Sequence, residues 1–170
     1  MMNEKVAALM NQQINKEFYS AYLYLDFSNY YSQRGLNGFA NWYQIQAQEE
    51  QAHAMLFYQY LQNNSEKVVL EAIAKPDKEF TCDMDPLKAG LEHELYVTSL
   101  INDISAAAYD ARDFRTMQFL DWFVKEQAEE EDNADSMISR YKLFGGDPRG
   151  LYLLDQEYAA RVYAAPSLVL

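Results

Sequence analysis

Four stretches of the chain carry apolar residues at three-to-four spacing, the period of one helix face, and each apolar stripe is broken near its middle by a side chain able to bind a cation. The first stripe is Val6, Met10, Ile14, Glu17, Ala21, Tyr24 and Ser28, opened by an N-cap at Asn3 and closed near Gly35. The second is Phe39, Trp42, Gln46, Glu50, His53, Phe57 and Tyr60. The third is Leu87, Leu91, Glu94, Val97 or Thr98, Ile101, Ser105 and Ala108, with Asp85 as N-cap and Pro86 at the first helical position. The fourth, capped by Asp113 and stopped at Gly145-Gly146, is Phe119, Trp122 or Phe123, Gln127, Glu130, Ala134, Met137 and Tyr141. Helices are expected over 3–34, 37–63, 85–112 and 114–144, and Asp147-Pro148 restarts a short one over 148–162.

The connection holding Gly35 and Gly38 is so short that the first two helices must be antiparallel neighbours. Between residues 63 and 86 the periodicity fades around Pro76, Asp77 and Asp83, which fits a segment crossing from one end of the molecule to the other. Two helix pairs joined by one long crossover predict an all-α four-helix bundle, and 170 residues suffice for one domain, 1–170, with a core of its own. The run Leu151-Tyr152-Leu153-Leu154 with Tyr158 and Val162 is too apolar for a solvated appendage, so the short fifth helix should pack on the bundle or on another subunit. Fraying is expected after Pro166.

The interrupting residues repeat. Glu50 and His53 follow Glu17 by 33 and 36 residues, and Gln127 and Glu130 follow Glu94 by the same 33 and 36, as if one helix pair were used twice. An isolated ionised carboxylate in a bundle core costs several kcal/mol, so four of them require compensating positive charge. No Lys or Arg falls on the stripes, and two divalent or trivalent cations would serve. Oxygen ligands with one imidazole suit iron or manganese better than zinc. Glu50 and His53, at i and i+3, share a helix side. The expected arrangement is Glu17 with His53 on one metal, Glu94 with Glu130 on the other and Glu50 bridging. Gln127 is then a weak ligand or a supporting partner, and the replacement of Glu by Gln and His by Glu makes the two metals inequivalent.

Charge and composition narrow the setting. With 26 acidic against 14 basic residues the net charge is −12, which repels nucleic acid and anionic membrane surfaces and favours cations. No run approaches the roughly 20 apolar residues of a membrane helix. The start, Met1-Met2-Asn3-Glu4-Lys5-Val6, has no apolar core of a secretion signal, so a cytoplasmic location is expected. The single Cys82 can form neither an intramolecular disulfide nor a cysteine-rich metal centre and reads as a loop thiol. His93, beside Glu94 but off the stripe, reads as a surface residue or a support to the site.

Glu17, Glu50-x-x-His53, Glu94 and Gln127-x-x-Glu130 on four helices, with Tyr24 two turns beyond Glu17, resemble the bacterial non-haem ferritins over nearly the whole chain. Glu49, Glu126 and Glu129 together with Glu130 extend the resemblance to the additional iron site that this branch carries beside its dinuclear centre. The resemblance implies a ferritin-like bundle that acts as a ferroxidase. Two Fe(II) ions bind, react with O2 or H2O2, and pass as Fe(III) into a mineral held in a hollow homo-oligomeric shell of 24 subunits. By the same resemblance Tyr24 hydrogen-bonds near the centre and is a candidate electron donor, Trp122 is a weaker one, and the fifth helix lines fourfold axes.

Departures from related patterns matter as well. Haem-carrying bacterioferritins have a second Glu-x-x-His and a methionine directly after the second-helix glutamate. Gln127-x-x-Glu130 and Gln51 stand there instead, so no haem is expected. The acidic pair that lines threefold pores in animal ferritins falls near the apolar Met117 and Leu120, and that entry route does not carry over. By composition alone the run Glu126, Glu129, Glu130, Glu131, Asp132, Asp135 is a solvated helix face. Glu131 and Asp132 are assigned to solvent, while Glu126 and Glu129 stay candidates because like charges at i, i+3 and i+4 repel unless a cation lies among them.

Three function classes are thus in play. An iron-storage ferroxidase fits best. A rubrerythrin-like di-iron or di-manganese enzyme would need both Glu-x-x-His motifs or a cysteine-rich iron domain. A metal-free structural bundle would leave the buried acids uncompensated. DNA-protecting ferritin relatives place ligands between subunits and lack the fifth helix, which the intrasubunit arrangement disfavours.

Overall fold

Three of the helix starts are set by short polar side chains. In the computed structural model, which describes residues 2–170, Asn3 accepts from the Lys5 N–H and opens α1 (Glu4–Gln33). Asp113 accepts from the Thr116 N–H at the start of α4 (Phe114–Phe144). Asp147 accepts from the Arg149 and Gly150 N–H groups, with Pro148 behind it, to open α5 (Pro148–Ala159). The remaining helices are α2 (Asn37–Asn63) and α3 (Met84–Asp110), and no strand occurs among the described residues.

Five boundaries differ from expectation, the two ends of α1 by a single residue each. α3 begins one residue early, with Asp83 rather than Asp85 in the capping position. Asp85 lies inside the first turn, where it accepts from the Thr81 N–H and hydroxyl and from the Cys82 N–H, and these bonds hold its carboxyl well below the usual range. The same helix stops at Asp110 because Arg112 turns left-handed at φ 54°. α5 stops at Ala159, and the chain beyond it is extended; Trp122 donates to the Ser167 hydroxyl at 3.0 Å and Leu168 packs against the core, so the tail is bound to the bundle where fraying was expected.

α2 has no cap of its own, since Leu36 offers no side-chain acceptor. Asp155 of α5 supplies one: its Oδ1 accepts from the Gly38 N–H at 2.8 Å and the Phe39 N–H at 3.0 Å. The approach is so close that a Cβ on residue 38 would lie 1.6 Å from the Asp155 carbonyl oxygen, which restricts the position to glycine. Tyr158 of α5 then packs on Trp42 and Phe39. α5 therefore completes α2 as well as covering it, and Tyr43 takes the buried position expected for the half-buried Trp42.

α1 pairs with α2 and α3 with α4. The segment between α2 and α3 runs back along α1, its carbonyls at Lys67, Glu71 and Ala72 accepting from the Asn11 and Asn15 amides, so backbone that forms no ladder is satisfied by side chains. This crossover makes α3 parallel to α2, as the bond from Tyr31 near the end of α1 to the Asp83 carbonyl at the start of α3 requires.

The apolar core is split in two. One cluster holds Leu23, Phe27, Tyr31, Phe39, Tyr43, Leu87, Met137 and Leu154. The other holds Met10, Ile14, Phe57, Leu61, Val97, Ile101, Phe119 and Phe123. At the two positions where the pattern left alternatives, Val97 and Phe123 are buried while Thr98 and Trp122 are half-exposed.

Candidate metal centre

Between the two apolar clusters lies a polar layer to which all four long helices contribute: Gln13, Glu17 and Ser20 from α1, Gln46, Glu50 and His53 from α2, His93 and Glu94 from α3, and Gln127 and Glu130 from α4, every one of them buried. They reach the same depth because Glu17 and Glu94 each lie 16 residues before the end of their helix, while Glu50 and Gln127, 33 residues further on, each lie 13 after the start of the next, so both antiparallel pairs bring them level. Thr98 meets Glu131, and Glu94 meets Gln127, across α3 and α4 at that separation.

One ligand atom each from Glu17, Glu50 and His53 lie within 4.8 Å of one another. His53 Nδ1 is 3.5 Å from Glu50 Oε2, and its ring is held edge-on by Trp122 and Phe123 of α4. Gln13 donates to Glu17 Oε1 at 2.8 Å, while Glu17 Oε2 is buried with no hydrogen-bond partner among the described residues. Across the layer, Tyr24 donates a short hydrogen bond to Glu94 Oε1, and the Gln127 amide donates to Glu94 Oε2 at 3.2 Å and to its carbonyl at 3.3 Å. Gln46 ties the halves together by donating to Glu130 Oε2 at 2.5 Å and to Glu50 Oε1 at 3.5 Å. A cavity of about 20 Å³ bordered by Tyr24, Gln46, Glu94 and Glu130 has room for one water-sized species.

Burial pushes all four carboxyls above their ordinary range, because a charged carboxylate loses its hydration there. For Glu17 the charge of Glu50 adds to the effect, and for Glu50 the charges of Glu94 and Glu130 do. Glu94 is raised by burial against the opposing bonds from Tyr24 and Gln127. Glu130 is pushed up to about 8 by burial and by Glu94. Tyr24 is held well above the usual phenol range by burial and the neighbouring Glu94. The layer therefore keeps protons that a cation can replace, and its donor set of carboxylate oxygens with one imidazole, including an oxygen without a partner, fits hard or borderline metal ions.

The additional acids sit at the edge. Glu126 Oε1 is 3.8 Å from His53 Nε2, and Glu49 is mostly buried and paired with Arg161; burial raises the carboxyls of both, and the charge of the exposed Glu129 adds to it.

Several neighbours differ from expectation or escaped it. His93 is buried, with Nε2 2.7 Å from the Ser20 hydroxyl and its ring edge-on to Tyr24; burial lowers it to about 4, so it is neutral and supports the tyrosine. Glu131 is half-buried rather than solvated, because the α3–α4 register presents it to the Thr98 hydroxyl at 2.5 Å. Asp132 and Cys82 are exposed. Gln13 and Gln46 carry no motif in the sequence, yet each precedes a layer glutamate by four residues and they are themselves 33 apart, so the repeat contained them. Arg161 had no such signal.

The ferritin-like domain matches this chain over residues 7–144. The bacterial non-heme ferritin of Staphylococcus epidermidis is 34% identical over 163 residues, covering 96% of this chain and 98% of its own. That of Campylobacter jejuni is 35% identical over 156 residues, covering 92% and 93%. Among solved structures, the open-pore ferritin of the archaeon Archaeoglobus fulgidus superposes with a TM-score of 0.93 at 38% identity, over 95% of this chain and all of its own, and a closed form engineered from it gives 0.94 at 37%.

Proposed function

The chain belongs to the ferritin family, whose members store iron, and we propose on that premise that it is a ferroxidase as well as a store. One observation carries the reading: the four buried carboxyls of Glu17, Glu50, Glu94 and Glu130 share one layer with the imidazole of His53, and no Lys or Arg forms an ion pair with any of the four among the described residues. Glu17 and His53 hold one Fe(II), Glu94 and Glu130 the other, and Glu50, whose carboxyl feels the charges of Glu94 and Glu130, bridges them. Gln127, which donates to Glu94, acts as a weak ligand or as the support that aims that carboxylate.

Iron is the substrate. Two Fe(II) ions each lose one electron to O2, which takes up two protons and leaves as H2O2; with H2O2 as oxidant the products are Fe(III) and water. Entry of Fe(II) displaces the protons that burial keeps on the carboxyls, so part of the acid the reaction consumes is released at the site itself. Tyr24, bonded to Glu94, fixes that ligand and is placed to supply an electron, with Trp122 against His53 as the weaker candidate. Glu49, Glu126, Glu129 and Glu130 form a third iron site at the edge of the layer. The Fe(III) passes into a mineral within a cytoplasmic homo-oligomeric shell of 24 subunits. None of the described helices is long and apolar enough to cross a membrane, which supports a location away from lipid.

Replacement of Glu50 by Ala tests the reading, because Glu50 is the bridge in it. On rapid mixing of the iron-loaded protein with air, the fast oxidation phase should disappear while the assembly keeps its size; unchanged kinetics would remove Glu50 from the centre.

A further inference from the structure

α2 and α4 leave a seam between them: among the described residues no Cα of one comes within 8 Å of a Cα of the other. The extended chain after α5 lies across it. Asn41 donates to the Tyr158 carbonyl at 3.2 Å and the Arg161 carbonyl at 3.0 Å, fixing the tail to α2, and Trp122 bonded to Ser167 fixes it to α4. Between these anchors Arg161 turns into the seam. Its guanidinium stacks 4.1 Å over the Trp42 ring, Nη1 donates to the Trp42 carbonyl at 3.2 Å and to Gln46 Oε1 at 2.8 Å, and Nη2 donates to Glu49 Oε2 at 2.6 Å. The side chains of Arg161 and Glu49 are both only 17% exposed, so this ion pair is largely withdrawn from water.

Two consequences follow from the geometry. Glu49, an acid of the third cation site, already has a cation, delivered by the chain's own tail. Gln46 is also fixed in orientation: with its carbonyl on Arg161, its amide group must face Glu130 and Glu50. A metal ion on Glu49 would stand against a guanidinium donating to the same carboxylate, and two positive charges that close repel strongly in a half-buried site. Glu126 and Glu129 would be left to a metal, since no Lys or Arg pairs with them among the described residues.

We propose that Arg161 and a metal ion compete for Glu49, so that Arg161 sets the affinity of the third cation site and filling that site releases the C-terminal tail from the α2–α4 seam. The inference rests on the third-site reading given under Proposed function. Release also frees the Gln46 carbonyl, so the event at the edge reaches Glu50 and Glu130 through one side chain. Arg161 is a positioning residue in this scheme and a competitor of the ion, bonded to Trp42, Gln46 and Glu49 and not to Glu17, Glu50 or Glu94.

The assembled metal-free protein can be titrated with Zn²⁺, which has no redox chemistry, by calorimetry, with backbone hydrogen exchange over residues 160–168 followed at each stoichiometry. In the unsubstituted protein, exchange in the tail should stay slow while the first two ions bind and rise as the weakest class fills. Arg161→Gln should tighten that class by about tenfold, the scale expected for removing a partly buried competing charge, and its tail should exchange fast before any metal is added. A gain in affinity is not what structural damage would produce. Glu49→Gln should lose both the weak class and the metal-dependent release. If Glu49→Gln abolishes the weak class but Arg161→Gln leaves its affinity unchanged, or the tail stays protected when it fills, the site stands and the competition is overturned. If no variant has a third class, the third-site reading fails and this inference with it.

Discussion

In the α1–α2 half of the polar layer, Glu17 and Glu50 converge on His53 within 4.8 Å, and one oxygen of Glu17 has no hydrogen-bond partner among the described residues. In the α3–α4 half, related to it by the same spacing, both oxygens of Glu94 are bonded by Tyr24 and Gln127, and Glu130 is bonded by Gln46. One register thus carries two conditions. The first half is assembled with donors to spare, whereas the second is occupied by the protein's own hydrogen bonds, which a cation must displace or share. Besides the bond from Tyr24, two substitutions contribute to the difference, Gln127 where the repeat has Glu50 and Glu130 where it has His53.

The largest effect that can sharpen this contrast is the pH dependence of the metal-free protein. Folding raises the carboxyls of Glu17, Glu50, Glu94 and Glu130 above their unfolded value near ~4.3, so the folded state binds more protons. The stability these groups contribute is therefore complete below that value and is lost as pH rises, for Glu130 through about 8. The denaturation midpoint of the metal-free protein should fall between pH 5 and pH 8, about as far apart as the linkage window extends, and bound metal should flatten the profile. The halves separate on substitution. Glu17→Gln keeps an acceptor for Gln13 and turns a donor toward Glu50, so it should raise the midpoint at pH 8. Glu94→Gln must set an amide against Tyr24 or against Gln127 and should gain less, or lose. Equal gains would mean that the two halves are equally uncommitted.

The contrast extends to the helix starts. α4 is capped from within by Asp113, while α2 borrows Asp155 from α5. Asp113→Ala should cost about 1 kcal/mol, a usual value for a lost cap. Asp155→Ala leaves two buried N–H groups without an acceptor and should cost about 2 kcal/mol, read from chemical denaturation of the metal-loaded protein so that the layer's titration does not intrude. A smaller loss at 155 than at 113 would show that α5 covers α2 without completing it.

Most of the fold was legible because each helix carries its period, and α1, α4 and α5 their caps, in contiguous sequence. The caps at Asn3, Asp113 and Asp147 needed no tertiary partner. The repeat made the layer legible in the same way, and it also held Gln13 and Gln46, whose importance was hidden because glutamine on a helix stripe is commonplace. What could not be read depends on contacts between distant segments. The cap from Asp155, the burial of His93 against Ser20 and the reach of Arg161 into the seam link residues separated by 117, 73 and 112 positions, and no periodicity encodes them. The start of α3 is hidden in the sequence for a subtler reason. Asp85-Pro86 looks like a cap followed by its proline, but the aspartate gathers the preceding loop instead.

The smallest expected effect is also the most direct test of why the halves differ. Gln127→Glu restores the repeat by placing a carboxylate 33 residues after Glu94, as Glu50 is after Glu17. In the metal-free protein it replaces the donor to Glu94 with a fifth buried acid and should cost about 1 kcal/mol above neutral pH. With metal present the sign reverses, because the new carboxylate and the released Glu94 oxygen both become ligands for the ion of the second half. Anaerobic titration with Fe(II) should then resolve two unequal binding events in the unsubstituted protein and bring them within about a few-fold of each other in the variant, since roughly 1.4 kcal/mol is a factor of ten. If the two events stay as far apart as before, Gln127 is not the cause, and the inequality must come from the imidazole of His53 standing opposite the carboxylate of Glu130.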